Sequence, residues 1–383
     1  MFSLELSDIQ KTILETAKKF ATEVIAPGAI ERDINHSFPK DILHQLGELG
    51  FMGVTVPEEY DGVGLDTISY VLALREIAKA DAGVAIPVSV QNSLVNWIFY
   101  NYGNDHLKEK YLKPLARGEM IGAYSLSEPE AGSDARMLTT RAEFIDGKWV
   151  INGLKNWVST GVSADIYVVF AQTNPALAHR GIAAFAIEKG TPGFEPLKKE
   201  DKMGMHSSET VSLALTNVEV PEENVIGKVG EGFYIAMRAL NGGRIGIAAQ
   251  AVGIAQAALE KSVRYAKARK TMGKPISEHQ IIQYKLSQMS MKISAAEMLV
   301  FKAAYLRDSG ADHARAASEA KLFATTIANE VTREAVQIHG GYGYIREYEV
   351  ERLMRDAKVT EIYEGTSEIQ SLVIARELFK EID

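Results

Sequence analysis

Four short runs in this 383-residue chain carry side chains that could do chemistry. Near the C-terminus, Ile362-Tyr363-Glu364-Gly365-Thr366 sets a carboxylate between an aromatic residue and a glycine, just ahead of a helix start. A carboxylate in a partly apolar pocket has its pKa raised and can act as a general base. Gly365 lets a ligand approach the backbone closely. Read alone, Glu364 is better taken as a loop carboxylate favoured by a nearby helix N-terminus. The run Tyr124-Ser125-Leu126-Ser127-Glu128-Pro129-Glu130-Ala131-Gly132-Ser133-Asp134 is small and hydroxyl-rich. It can bring backbone N–H groups to a planar or anionic ligand, although composition alone favours an ordinary turn cluster. Trp157-Val158-Ser159-Thr160-Gly161 offers an indole face for stacking and a hydroxyl beside it. By spacing alone, a core tryptophan is the better reading. Arg269-Lys270-Thr271-Met272-Gly273-Lys274-Pro275-Ile276, followed by Glu278-His279-Gln280, is a basic joint that could hold a diphosphate. A solvated turn between helices fits it as well.

Other chemistries are excluded. The chain has no cysteine, which removes thiol nucleophiles, thiolate zinc sites and iron–sulfur ligation. It has no G-x-x-x-x-G-K-[ST] phosphate loop, no H-E-x-x-H helix and no G-x-S-x-G elbow. The glycine-rich pieces at 227–232 and at Gly340-Gly341-Tyr342-Gly343 do not open a βαβ unit, so neither supports a nicotinamide site. Eight histidines are scattered without ligand spacing, and no metal site is expected. Asp plus Glu outnumber Lys plus Arg by 50 to 42, so a general nucleic-acid footprint is absent. No run reaches the roughly 18 apolar residues of a membrane span, and no secretory segment opens the chain. A soluble, cytoplasmic protein is expected.

The elements that must position these runs fall into three regions. Residues 1–120 read as an α-helical domain. Ser7-Asp8-Ile9-Gln10 is a capping box, and Ile9, Ile13, Leu14, Ala17 and Phe20 recur at helical spacing. Pro27 should kink or end that helix. A second helix follows Pro39 and stops near Gly50, a loop covers 57–66, and helices resume over 67–81, 88–101 and 105–117. Residues 121–230 read as a β-barrel-like domain. Leu138–Ile145 and Lys148–Leu154 flank the hairpin signal Asp146-Gly147, followed by strand-like runs at 166–170, 182–187, 211–215 and 218–220. Residues 231–383 read as a four-helix bundle, with long helices over 233–268, 277–308 and 312–339. A last helix follows Thr366, with Ser367-Glu368-Ile369-Gln370 as its capping box.

The order of the four runs, completed by Gln337-Ile338-His339-Gly340-Gly341-Tyr342-Gly343, resembles the acyl-CoA dehydrogenase family over essentially the whole chain. Asp201-Lys202-Met203-Gly204 and Gly242-Gly243-Arg244-Ile245-Gly246 are most similar to its short-chain, butyryl-CoA branch. The resemblance implies a helix–sheet–helix fold that binds FAD non-covalently and dehydrogenates an acyl-CoA between its α and β carbons, as in β-oxidation of fatty acids. Glu364 matches the family's catalytic base. It would remove the α proton as the β hydrogen leaves as hydride to the flavin. The backbone N–H of the base and a ribityl hydroxyl would polarise the thioester oxygen.

Tyr124, Leu126, Ser127, Ser133, Trp157, Val158 and Ser159 would surround the flavin ring. Arg269, Thr271 and Gln280 would hold the diphosphate and adenosine, with Gln337, Gly340 and Gly341 closing over them from a neighbouring subunit. Thr366 and Glu368 would also touch FAD. Ser133, Asn241, Arg244, Tyr363 and Gly365 would line the acyl-CoA site. Some branches carry the base on the earlier helix, immediately before the arginine. Here that position is Gly243, which leaves Glu364 as the one base. Met272, Glu130 and Ser159-Thr160 depart from the family's usual residues. The implied partners are acyl-CoA and an electron-transfer flavoprotein, and the implied assembly is a homotetramer. An acyl-CoA oxidase of the same fold, or a flavin-free helical scaffold, stays open on sequence alone.

Overall fold

The computed structural model describes residues 5–381. Residues 1–4 and 382–383, the outermost parts of the expected first and third regions, lie outside the described residues. Helix α1 (Asp8–Phe20) opens on the expected capping box. Ser7 Oγ accepts from the Gln10 N–H at 3.2 Å, and Gln10 Oε1 accepts from the Ser7 N–H at 2.9 Å. Around Pro27 the chain stays coiled but leaves α geometry. A π turn at Ala21–Ile25 and a 3-10 turn at Ala26–Gly28 lead into α2 (Ala29–Asn35). The missing proline N–H breaks the i to i−4 ladder there. Helices α3 (Lys40–Glu48) and α4 (Thr67–Ala80) lie where the spacing placed them.

The next helix does not. It was expected from residue 88, but α5 runs over Ala82–Ser89 with Pro87 inside it. Asp81 caps it, accepting from the N–H groups of Gly83 and Val84. Every residue of α5 is buried, so it shows no amphipathic period to read. It continues through π turns at Val90–Asn96 into α6 (Trp97–Tyr102). The short α7 (Asp105–Leu107) and α8 (Lys113–Ala116) close this region.

Eight strands follow: β1 (Gly122–Ser125), β2 (Arg141–Ile145), β3 (Lys148–Ser159), β4 (Ile166–Gln172), β5 (Ile182–Glu188), β6 (Phe194–Lys199), β7 (Thr210–Pro221) and β8 (Val225–Ile226). Asp146 and Gly147 both have positive φ, as a two-residue hairpin turn between β2 and β3 requires. The first arm begins at Arg141 because Ala135–Met137 forms a 3-10 turn. The runs at 211–215 and 218–220 are one strand, β7, bulged at Asn217 opposite Asn152. The sheet order is β6-β7-β3-β2-β4-β5-β8, with β1 beside β4. The path is open, ending at β6 and β8, so the barrel-like expectation is met without ring closure.

One edge of β4 pairs with β5, and β1 and β2 share the other. Alternate residues of β4 enter two cores. Ile166, Val168 and Phe170 join the helices, and Tyr167, Val169 and Ala171 fill the sheet's own interior.

Helix α9 (Gly232–Ala268) spans 37 residues and packs against α10 (Gln280–Asp308) and α11 (Ala314–His339). The basic joint between α9 and α10 is a small hairpin of β9 (Lys270–Thr271) and β10 (Lys274–Pro275), turning at Met272 and Gly273 with positive φ. The charge-rich α12 (Val350–Thr360) was not expected, because its apolar stripe is only Val350, Leu353 and Ala357. Helix α13 (Ser367–Glu381) starts directly after Thr366, as expected, but its cap lies one residue earlier than the expected Ser367. Thr366 Oγ1, not Ser367, accepts from the Ile369 N–H, and the Gln370 side chain turns back to the Gly365 carbonyl. No helix among the described residues is long and apolar enough to cross a membrane.

Candidate active site

Glu364 sits in the turn between α12 and α13 with φ +53°, and Gly365 follows at +96°. A non-glycine residue at positive φ is uncommon and is held by its surroundings. Two donors hold this one. Lys321 of α11 donates to the carbonyls of Tyr363, at 2.6 Å, and of Gly365. Gln370 Nε2 donates to Gly365 O at 2.8 Å. Tyr363 OH donates to Gln250 of α9. The turn aims the carboxylate at α9. A Cβ placed on Gly243 would lie 1.9 Å from Glu364 Oε2 and 3.1 Å from Leu94 Cδ2. Only a residue without a side chain leaves that carboxylate room. Oε2 itself is buried and has no hydrogen-bond partner among the described residues. The Glu364 N–H likewise has no acceptor there. Burial pushes the Glu364 carboxyl above the ordinary carboxylate range, against the opposing pull of Lys321 and Arg244.

Arg244, expected at the acyl-CoA site, is buried and bonds Asn241 Oδ1 at 2.8 Å. Its Nε has no partner among the described residues, and burial lowers its pKa to about 10. Tyr124 of β1 shares this neighbourhood. Its hydroxyl is buried without a partner, and the charges of Glu364 and Arg244 both act on it. The structure thus brings together Tyr124, Asn241, Arg244, Tyr363, Glu364 and Gly365.

The loop after β1 is held by a pair that sequence reasoning missed. Lys155 and Glu128 are fully buried and joined at 2.8 Å. Glu128 also accepts from the N–H groups of Thr139 and Thr140, and Lys155 donates to Leu126 O. The available signal was a lysine on β3 at a position whose inward neighbours, Ile151 and Val158, are apolar. Ser127 O accepts from Asn156 N at 2.9 Å, which ties the loop to the strand beside Trp157. Ser127 and Ser159 are half-buried, and Ser133 and Gly132 are exposed. Leu126 and Val158 are core side chains, so only their backbone is left for a ligand.

Trp157 is not a core residue. It is 63% exposed with φ +61°, at a register shift between Lys155 and Val158. A bulge there turns the indole outward.

A third group lies apart in the chain's contacts. Tyr265, Arg269, Thr271, Ile276, Ile338, His339, Gly340, Gly341, Tyr342 and Ile345 line a cavity of about 460 Å³. The Arg269 guanidinium lies 5.4 Å from the Tyr342 ring centre. This corrects one expectation. Arg269 and Thr271 were placed on one subunit, with Gly340 and Gly341 reaching in from its neighbour. In the structure they line one cavity of a single chain, because the α9–α10 hairpin packs beside the end of α11. Gln280 and Gln337 are exposed and do not line the cavity. Nor do Tyr124, Ser127, Trp157, Ser159 or Glu364. Thr366 caps α13, and Glu368 is exposed in its first turn, where a hydrogen bond from Thr366 lowers its pKa.

The helix–sheet–helix chain, with its carboxylate turned toward a bare helix glycine, has counterparts among known proteins. Family models for the acyl-CoA dehydrogenase N-terminal, middle and C-terminal domains match residues 7–119, 123–218 and 230–379. The chain belongs to the acyl-CoA dehydrogenase family. It is 47% identical to a short-chain specific acyl-CoA dehydrogenase of Megasphaera elsdenii over 379 residues, covering 98% of this chain and 99% of that protein. The solved structure of butyryl-CoA dehydrogenase from Megasphaera elsdenii superposes with a TM-score of 0.97 at 46% identity, covering 99% and 100% of the two chains. A chain from a study of the electron transferring flavoprotein of Acidaminococcus fermentans superposes with a TM-score of 0.98 at 46% identity, covering 99% and 100%.

The residues present fit FAD. Open space lies beside Gly132, Gly340 and Gly341, where an added Cβ would meet nothing within 4 Å. The exposed indole supplies a flat face. Thr160 Oγ1 and Ser367 Oγ are buried without partners among the described residues. Arg269 puts a guanidinium in the cavity wall, the group that suits a diphosphate.

Proposed function

We propose that this chain removes hydrogens from the α and β carbons of a short acyl-CoA to give the trans-2-enoyl-CoA, with electrons passing to an electron-transfer flavoprotein. The observation that carries the reading is the Glu364 carboxylate, unpartnered at Oε2 and aimed at the bare face of Gly243. In this reading Glu364 takes the α proton, and its raised pKa suits a base working near neutral pH. The free Glu364 N–H donates to the thioester oxygen and stabilises the charge that develops there. Bound FAD supplies the acceptor for the hydride leaving the β carbon. Tyr124, Ser127, Ser133, Trp157 and Ser159 hold the ring end, with the backbone of Leu126 and Val158. Asn241, Arg244, Tyr363 and Gly365 line the acyl-CoA side.

The Arg269–Gly341 cavity lacks every ring-end residue. We therefore assign it the diphosphate and adenosine of an FAD whose ring sits in a neighbouring subunit, within a homotetramer. Apolar side chains left exposed on α10 and α13 support assembly: Ile281 at 62%, Tyr284 at 62%, Leu372 at 66% and Phe379 at 75%. The same proposal divides the chain at about residues 120 and 230, and likeness to bacterial relatives supports a cytoplasmic location.

The test is an anaerobic flavin-bleaching panel over straight, branched, aromatic and dicarboxylic acyl-CoAs. Butyryl-CoA should bleach fastest. Fastest bleaching by octanoyl-CoA or an aryl substrate overturns the chain-length reading. Rapid recolouring of the reduced protein in air overturns the dehydrogenase reading in favour of an oxidase.

A further inference from the structure

Lys321 is 1% exposed in the middle of α11, among Ala317, Ala320, Ala324 and Ala328. Burying an ammonium is costly unless it is paired or hydrogen-bonded. The hydrogen-bond partners of its ammonium are not carboxylates. Its ammonium instead donates to Tyr363 O and Gly365 O, the carbonyls on either side of Glu364. The two left-handed residues, Glu364 and Gly365, let both carbonyls reach one cation. An alanine-lined helix would pack against this turn more cheaply with an apolar side chain. The lysine therefore does something that packing does not require.

We propose that Lys321 is the positioning residue of the base: its ammonium clamps the turn from both sides of Glu364 and sets the field in which the carboxylate ionises. The proposal rests on Glu364 being the base. The groups facing that carboxylate are Lys321 of α11, Arg244 of α9, Tyr70 of α4, Tyr124 of β1 and Tyr363 of its own turn. Glu361 faces Lys321 in turn. Of the groups facing Glu364, only Lys321 and Arg244 are cations. Burial lowers the Lys321 pKa to about 7 against the pull of Glu364, so the ammonium and the carboxylate hold their charges as a pair; without Lys321, one cation is left to oppose burial and the carboxyl ionises at higher pH.

The experiment is anaerobic reduction of the FAD-loaded enzyme by butyryl-CoA across pH, for wild type, Lys321→Met, Lys321→Gln and Glu364→Gln. Lys321→Met keeps the stem and loses the ammonium. It should lower the limiting rate by about 10²-fold and move the pH midpoint upward by about one unit. Lys321→Gln keeps an amide donor for the carbonyls. It should recover part of the rate while the midpoint stays displaced. A loaded Lys321→Met enzyme with wild-type rate and midpoint overturns the proposal. So does a slower enzyme with an unmoved midpoint, because a purely structural lysine predicts that result. If neither lysine variant yields folded, FAD-loaded protein, Lys321 belongs to the scaffold and the proposal fails. Near-normal bleaching in Glu364→Gln sinks the base reading itself, whatever the lysine variants do.

Discussion

Replacing Gly243 by alanine should separate stability from activity. Position 243 lies inside the 37-residue α9, at a helical φ that alanine accepts. Alanine gains about 1 kcal/mol over glycine in a helix interior. The added methyl would sit 1.9 Å from Glu364 Oε2 and 2.8 Å from Cδ. Ordinary C···O contact begins near about 3.3 Å, so the carboxylate must withdraw by more than about 1 Å. It can, because it is the end of a flexible side chain, and folding is little affected. A reacting group misplaced by about 1 Å costs about 10²-fold in rate, or about 2.7 kcal/mol in barrier. The variant should therefore unfold at or above the wild-type temperature, hold full FAD, and reduce about 10²-fold more slowly. Thermal unfolding, flavin content and anaerobic stopped-flow bleaching by butyryl-CoA read the three quantities. A stable, fully loaded Gly243→Ala enzyme that reduces at the wild-type rate would refute the placement of the base against α9.

Five further outcomes follow from the structure. Glu364→Gln should lose about 10³-fold in reduction rate with FAD retained. In wild type the rate should rise with pH through a range above that of ordinary carboxylates, because the base must be ionised. The stability contribution of Glu364 runs the other way. Its folded pKa is raised above the unfolded value, so the native state holds the proton longer, and stability falls as pH rises through that range. A rate that declines with rising pH there contradicts the assignment. The exchange Gly243→Glu with Glu364→Gly places a carboxylate on the adjacent helix and should recover part of the activity lost in Glu364→Gly. A loaded double variant with no recovery in single-turnover reduction counts against the shared geometry. Lys155→Met strands Glu128 in the interior and should cost about 3–5 kcal/mol in denaturant unfolding; a cost under about 1 kcal/mol shows that the pair does not anchor the loop. Gly341→Glu adds a charge where a Cβ meets nothing. It should release FAD and weaken subunit association on sedimentation while leaving the fold intact, and undiminished FAD content removes the diphosphate from that cavity.

Much of the fold could be read from neighbouring residues, because local chemistry decides it. Ser7 and Gln10 cap α1, Asp146-Gly147 closes a hairpin, and helical periods mark α9, α10 and α11. The same reading fails where burial is complete or contact is distant. Helix α5 has no polar face to betray its start, β1 and β8 are too short to carry a period, and β6 contains Pro196 and buries only Phe194. The order of the motifs also singled out Glu364, but only through the resemblance to the acyl-CoA dehydrogenase family, whose alternative base position is Gly243 here. Its environment was another matter. That Trp157 faces outward depends on a bulge in β3 set by pairing with β7. That Arg269 and Gly341 share one cavity depends on how two helix ends meet. That Lys321 grips the carbonyls around Glu364, and that Gly243 leaves it room, depends on three helices closing around one turn. Residue type and spacing along the chain fix which atoms are available. Burial, field and approach are sums over neighbours brought in from far along the chain, and only the packed structure decides those.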